Sequence, residues 1–293
     1  MQIPLIKTGQ VRLPQAAELN LKKKLRANLG LLLVLIPVAL LILVPYLWML
    51  TTSLKQRGEI GMPPYLYPLH FEFINYLKAW QAAPFVRFYF NTLVVAVGIV
   101  ASRVVFASMA AYAFAILKFK GRDLIFLLFL GTMMIPFQAT LIPNYVIIRD
   151  LHWFNTFQAL IVPRMVDGFS IFLLRQAFIA VPPDYLDAAR LDGCNHWNTL
   201  WRVIMPLSRS TVVTMGLFTF LFAWNDFLWP LLVANDKDMR LIQVGLQAFS
   251  GQYLTEWTYM MAGTVTATIL PVVVFFLAQK QFISGLTNSG LKG

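Results

Sequence analysis

Six long apolar runs, near residues 29–50, 89–116, 124–148, 157–179, 211–234 and 259–282, constrain this chain more than any other feature. A bilayer core of about 30 Å is crossed by about 20 apolar residues in helical form, and each run is long enough. Lipid offers the backbone no hydrogen-bond partners, so helices are expected. Strands of a membrane barrel would alternate over about ten residues, and these runs do not alternate. Of 293 residues, 58% are hydrophobic and 13% charged, too little charge to cover a water-soluble surface of this size. The reading is an all-α polytopic membrane protein with six transmembrane helices.

The net charge of +11 raises nucleic acid as a partner. Its placement argues against that. Lys and Arg form short clusters between the apolar runs, as membrane topology signals do, and no basic patch is interleaved with aromatics. Fourteen basic residues fall on one side of the six spans, among them Lys22, Lys23, Lys24, Arg26, Lys118, Lys120, Arg122, Arg190, Arg202 and Arg209. Seven fall on the other side, among them Lys55, Arg87, Arg149 and Arg240. This bias predicts that both termini are cytoplasmic. The run at 29–50 exceeds a signal-peptide core and lacks a small-residue cleavage site, so it reads as a retained first span. The expected organisation is a cytoplasmic tail (1–28), a six-span domain (29–282) and a second cytoplasmic tail (283–293).

Chemistry on the chain itself is not expected. Cys194 is the only cysteine, which excludes an intrachain disulfide and a thiolate metal cluster. His70, His152 and His196 show no metal-ligand spacing. There is no nucleophile elbow, zinc-protease motif or P-loop. The expectation is no enzyme, no metal site and no cofactor bound by this chain.

The polar stretch 181–207, between the fourth and fifth runs, is the most informative segment. Pro182 and Pro183 suit a helix start, where proline's missing donor costs little. A short helix through Asp187-Ala188-Ala189 is expected, then a turn at Asp192-Gly193, glycine readily taking positive φ. A second helix should run from about Asn195 to Ile204, with Pro206 stopping it. Two short helices at an angle make a rigid knob on the membrane face. Small alanines would let another protein surface approach, and Asp187 could pair with a basic residue on it.

The spacing Asp187-Ala188-Ala189-x-x-Asp192-Gly193, followed eleven residues later by Ile204-x-Pro206, resembles the EAA loop of ABC importer permeases, with aspartate in place of the usual leading glutamate. Ala110-Ala-Tyr-Ala-Phe-Ala115, Phe119-Lys-Gly-Arg122, Leu174-Arg-Gln176, Trp224-Asn-Asp-Phe-Leu-Trp-Pro230 and Gly285-Leu-Thr-Asn-Ser-Gly-Leu-Lys-Gly293 look like carbohydrate-type members, in particular the smaller six-span permease of maltose transport. The resemblance implies a multi-pass protein of a bacterial or archaeal cytoplasmic membrane. It implies a second homologous permease, two ATP-binding subunits that carry ATP and Mg, and an extracytoplasmic solute-binding protein. It gives Asp187, Ala188, Ala189, Asp192, Gly193, Ile204 and Pro206 the role of coupling to the ATPase. It gives Gly251, Gln252, Tyr253 and Leu254, in the last external loop, contact with the binding protein; an interfacial aromatic anchor is the plainer reading there. The implied solute is a sugar, glycoside or polyol, with glycerol phosphate or another sugar phosphate as the alternative.

Arg103, Asp167 and Asp226 fall inside spans, where a charge needs a partner or a water-filled cavity. One reading is a polar translocation path on which Asn225 and Asp226 face inward. The other is a charge pair, such as Arg103 with one of the acids, that holds helices in register. Arg164 and Arg175 read as snorkelling residues at span ends. An ion-driven secondary transporter would also explain intramembrane acids, but it leaves the 181–207 knob without a role.

Overall fold

The structure, a computed structural model, describes residues 15–63, 66–250 and 256–290. No strand occurs among the described residues. The helices are α1 (Gln15–Ser53), α2 (Ile74–Ala82), α3 (Phe85–Ile116), α4 (Arg122–Thr132), α5 (Phe137–Asp150), α6 (Phe157–Ile161) and α7 (Gly168–Ile179). They continue with α8 (Pro183–Leu191), α9 (His196–Asn198), α10 (Met205–Leu207), α11 (Arg209–Trp224), α12 (Leu228–Val233), α13 (Ile242–Leu246) and α14 (Trp257–Gly290).

Leu29–Ser53 of α1, all of α3 and Trp257–Phe282 of α14 are each long and apolar enough to cross a bilayer as one helix. The other apolar runs are broken. The third turns by 92° between α4 and α5, and the fourth by 48° between Phe157–Arg164 and α7. Proline explains the first break: Pro136 caps α5 in extended conformation, lacking the donor that would continue α4. The second is made by Pro163 in a tight 3-10 turn, then by Asp167, extended at φ −145°. The fifth run stops at Trp224, where the Asn225 amide donates back to the Leu221 carbonyl at 2.8 Å and closes the helix end. By contrast Pro37, Pro45, Pro143 and Pro271 lie within helices that continue through them.

α3 is the spine, packed along α7 and α11, and α11 also packs along α14. One core surrounds Trp224, Trp229, Phe85 and Phe88. A second, toward the 181–207 end, holds Ala107, Ala111, Leu174, Phe178, Ile204 and Met215. The two buried indoles each find an acceptor, as such groups must: Trp224 Nε1 donates to the Ala267 carbonyl at 3.0 Å, and Trp229 Nε1 to that of Ala159 at 2.9 Å. Small residues set the helix spacing. At Gly168 a Cβ would meet the Phe129 carbonyl oxygen at 2.9 Å, and at Gly245 it would overlap the Phe88 ring. α1 is different: its apolar side chains from Leu29 to Leu47 are exposed within the chain, and among its described side chains only Thr52 and Ser53, at its end, are buried.

Candidate functional site

The 181–207 stretch folds as a projecting knob. Pro182 is the N-cap of α8, with Pro183 in its first turn. The helix ends where Gly193 adopts φ +74° and its N–H donates to the Arg190 carbonyl at 3.0 Å. Cys194 N–H then reaches the Ala189 carbonyl at 2.9 Å, so successive donors satisfy the open end of α8. Asn195 caps the second arm, its Oδ1 accepting from Asn198 N–H at 2.8 Å. That arm continues through Pro206 to Leu207, and the chain turns by 85° only afterwards, into α11. Pro206 does not stop the arm where the sequence suggests. Thr199–Ile204 is a π-helical stretch, a wider turn that accommodates a residue without a backbone donor.

The seven coupling candidates divide by environment. Asp187, Ala188, Asp192, Gly193 and Pro206 are exposed, whereas Ala189 and Ile204 are buried, and Ile204 fixes the knob to the second core. Asp187 pairs with its own Arg190 at 2.9 Å, both largely solvated, and such a pair is worth under about 1 kcal/mol. It leaves the carboxylate free to exchange partners. Sequence reasoning missed three side chains here. Leu191 is 90% exposed at the tip, and Tyr185 and Trp197 are exposed beside it. Their apolar character in a polar loop was the available signal. The knob is also tied to the spine: Tyr112 Oη lies 3.0 Å from His196 Nδ1, the rings meeting edge to face.

A second constellation lies among the broken helices. Arg103 of α3 donates from Nη1 to Asp167 Oδ2 at 3.0 Å and from Nε to the Arg164 carbonyl at 2.9 Å. Asp167 also caps α7, its Oδ1 accepting from Ser170 N–H at 3.2 Å. Arg164 donates to Asp226 at 3.1 Å and stacks over Phe137, 3.8 Å from the ring centroid. Both guanidiniums lie over Phe222, at 5.5 and 5.1 Å. The expected Arg103–acid pair is present. Arg164 does not snorkel: it is at a helix break, not a span end, and its side chain is only 10% exposed. Arg175 donates to the Phe114 carbonyl at 3.2 Å and reaches the exposed Asp123 at 3.5 Å, with its guanidinium 4.1 Å from the Phe126 ring centroid. Asn225, next to Asp226, is exposed, and Gln243 donates to its Oδ1 at 3.4 Å.

Gly251, Gln252, Tyr253 and Leu254 lie outside the described residues. The chain on either side is anchored. Phe249 stacks on Phe85 with ring centroids 5.5 Å apart, and Glu256 pairs with Arg57 at 2.9 Å.

Residues 103–288 match the family of binding-protein-dependent transport system inner membrane components. Over 271 residues the chain is 34% identical to the arabinooligosaccharides transport system permease protein AraQ of Bacillus subtilis, covering 91% of this chain and 96% of the relative. It is 30% identical over 269 residues to the sn-glycerol-3-phosphate transport system permease protein UgpE of Yersinia enterocolitica, covering 89% and 93%. In fold it resembles a chain of a bacterial ABC transporter involved in import of the acidic polysaccharide alginate, with a TM-score of 0.75 at 22% identity, over 89% and 97%. It also resembles a chain of the alginate transporter in complex with alginate pentasaccharide-bound periplasmic protein, with a TM-score of 0.62 at 15% identity, over 87% and 94%.

Proposed function

The chain belongs to the family of binding-protein-dependent transport system inner membrane components, and from that premise we propose that it is one half of the membrane pathway of an ATP-driven importer for a sugar, glycoside or polyol. It is a permease subunit rather than an enzyme. The proposed remainder is a second, homologous permease, two ATP-binding subunits that carry ATP and Mg, and a soluble binding protein outside the membrane. The six runs are taken as six spans with both termini in the cytoplasm, in accord with the basic-residue bias.

One observation supports this reading above the others. The 181–207 knob presents Leu191, Tyr185 and Trp197 with Asp187 at its surface, and is bonded to α3 through His196 and Tyr112. Exposed apolar side chains ringed by polar ones mark a protein contact. The partner assigned to it is the ATP-binding subunit. ATP-driven closure of two such subunits would draw the two knobs together, and α7 and α11, joined to the knob at its two ends, would tilt with it. The pathway would then open outward for the binding protein to deliver solute, and hydrolysis would reset it. Asn225 and Asp226 are assigned to the pathway wall, and residues 251–254 to the contact with the binding protein.

Glycerol phosphate is the second reading, because UgpE of Yersinia enterocolitica is named for it. Uptake into vesicles reconstituted with the whole complex separates the two, using labelled arabino-oligosaccharide against labelled glycerol 3-phosphate, with and without ATP. Gly193→Pro and Asp187→Lys are expected to abolish ATPase docking or binding-protein-stimulated hydrolysis while the permease stays folded. Unchanged assembly and hydrolysis in both would remove the coupling role, and uptake driven by an ion gradient without ATP would remove the importer reading.

A further inference from the structure

The two arginines among the broken helices are each matched by one carboxylate, so Arg103, Arg164, Asp167 and Asp226 together carry no net charge. The two pairs differ on the arginine side. Both carboxylates also accept from backbone, Asp167 from Ser170 N–H and Asp226 from Trp229 N–H, but Arg103 alone has a second acceptor, the Arg164 carbonyl. Among the described residues the Arg164 side chain donates to Asp226, and its Nε is buried without an acceptor. Its guanidinium carbon lies 3.8 Å from the Phe137 ring centroid, so the ring covers it on one side while its N–H groups remain donors for an anion. Asp226, 16% exposed, accepts from Arg164 at 3.1 Å, and its chain neighbours Asn225, Phe222 and Phe227 are exposed.

A cation in this setting is costly, and an acceptor is worth far more here than in water. Within the chain Asp226 supplies that acceptor. It therefore occupies the place that the carboxylate or phosphate of an anionic solute would take.

We infer that Asp226 is a specificity-determining residue: by occupying Arg164 it closes this wall of the pathway to anionic solutes and leaves it to uncharged polyhydroxylated ones. The inference rests on the assignment of this face to the pathway, and it selects the sugar or polyol class over the sugar phosphates. Removing either partner unmasks the other. Asp226→Asn frees a guanidinium, Arg164→Gln frees a carboxylate, and the double variant restores neutrality.

The test is equilibrium binding of labelled galacturonate (an anion) and labelled glucosamine (a cation) to the assembled permease–ATPase complex in lipid nanodiscs. Wild type and Asp226→Asn/Arg164→Gln are expected to hold neither probe at millimolar concentration. Asp226→Asn should bind galacturonate, and Arg164→Gln glucosamine, each at least about tenfold tighter than wild type. Equal binding of either probe by all four proteins overturns the inference. So does recovery of only wild type and the double variant as intact complexes, which would make the pair a structural tie. Failure of the importer reading shows separately, as absence of ATP-dependent neutral-sugar uptake by wild type.

Discussion

The hydroxyl of Tyr112, four residues before the end of α3, lies 3.0 Å from Nδ1 of His196, the first residue of α9. Tyr112 is buried in the second core while His196 is exposed on the knob, so one bond joins the spine to the projecting arm. Such a bond contributes about 1 kcal/mol, small for the fold but sizeable for a motion that must pass between two bodies. Tyr112→Phe keeps the ring packing and deletes the bond. The complex should assemble normally, yet move less solute for each ATP hydrolysed. An unchanged ratio of uptake to hydrolysis would show that the bond plays no part in coupling.

Gly193 separates two effects that are usually confounded. With nothing within 4 Å of its missing Cβ, Gly193→Ala meets no clash and loses only about 1–2 kcal/mol from the left-handed backbone. Gly193→Pro also removes the N–H bonded to the Arg190 carbonyl, and proline cannot reach φ +74°. Limited proteolysis of the knob should therefore rise modestly for Ala and steeply for Pro. Equal protection in both would mean that neighbouring contacts, and not this turn, hold the knob.

The Arg103–Asp167 pair is predicted to be the structural member of the charge cluster. Asp167→Asn leaves a guanidinium that is 8% exposed facing a neutral amide, and breaking a buried pair from one side costs about 3–5 kcal/mol. Arg103→Gln/Asp167→Asn leaves no unmatched charge and should recover a substantial part of that. Thermal unfolding of the purified permease in detergent measures both. Asparagine can still cap α7, so a double variant no more stable than Asp167→Asn would indicate that an unmatched charge is not what the single variant suffers from.

Most of this fold was legible because apolar length is a strong signal. The expected runs 29–50, 89–116 and 259–282 correspond to Leu29–Ser53, Phe85–Ile116 and Trp257–Phe282. Gly193 takes the positive φ that its place after Asp192 suggested. The bends were less legible. Pro136 and Pro163 marked where helices break, but Pro143 and Pro271 lie in unbroken ones, since neighbouring groups decide whether a freed carbonyl is satisfied elsewhere. Arg164 was misread for the same reason. Its distance along the chain suggested a span end, whereas the break after it places it in the interior against Phe137 and Asp226. Leu191 was passed over because an exposed leucine is unremarkable until a fold shows it exposed together with Tyr185 and Trp197 on one short segment.

Close approach at the α4–α5 break yields the last prediction. A methyl group at Gly168 would lie 2.8 Å from Met133 Cγ and 2.9 Å from the Phe129 carbonyl oxygen. The methionine can move, but the backbone oxygen cannot without shifting α4. Gly168→Ala is therefore expected to destabilise by about 1–3 kcal/mol, as overpacking does. Gly216, inside α11, is the control, because its added Cβ would meet Val100 Cγ1 of α3 at 3.8 Å, an ordinary contact. There the exchange removes backbone freedom from the unfolded chain and should stabilise by about 0.5–1 kcal/mol. Thermal unfolding of the two variants side by side should move in opposite directions. If Gly168→Ala matched wild type, α4 would have to be free to slide on α7, and the broken third run would be a moving part rather than a fixed wall.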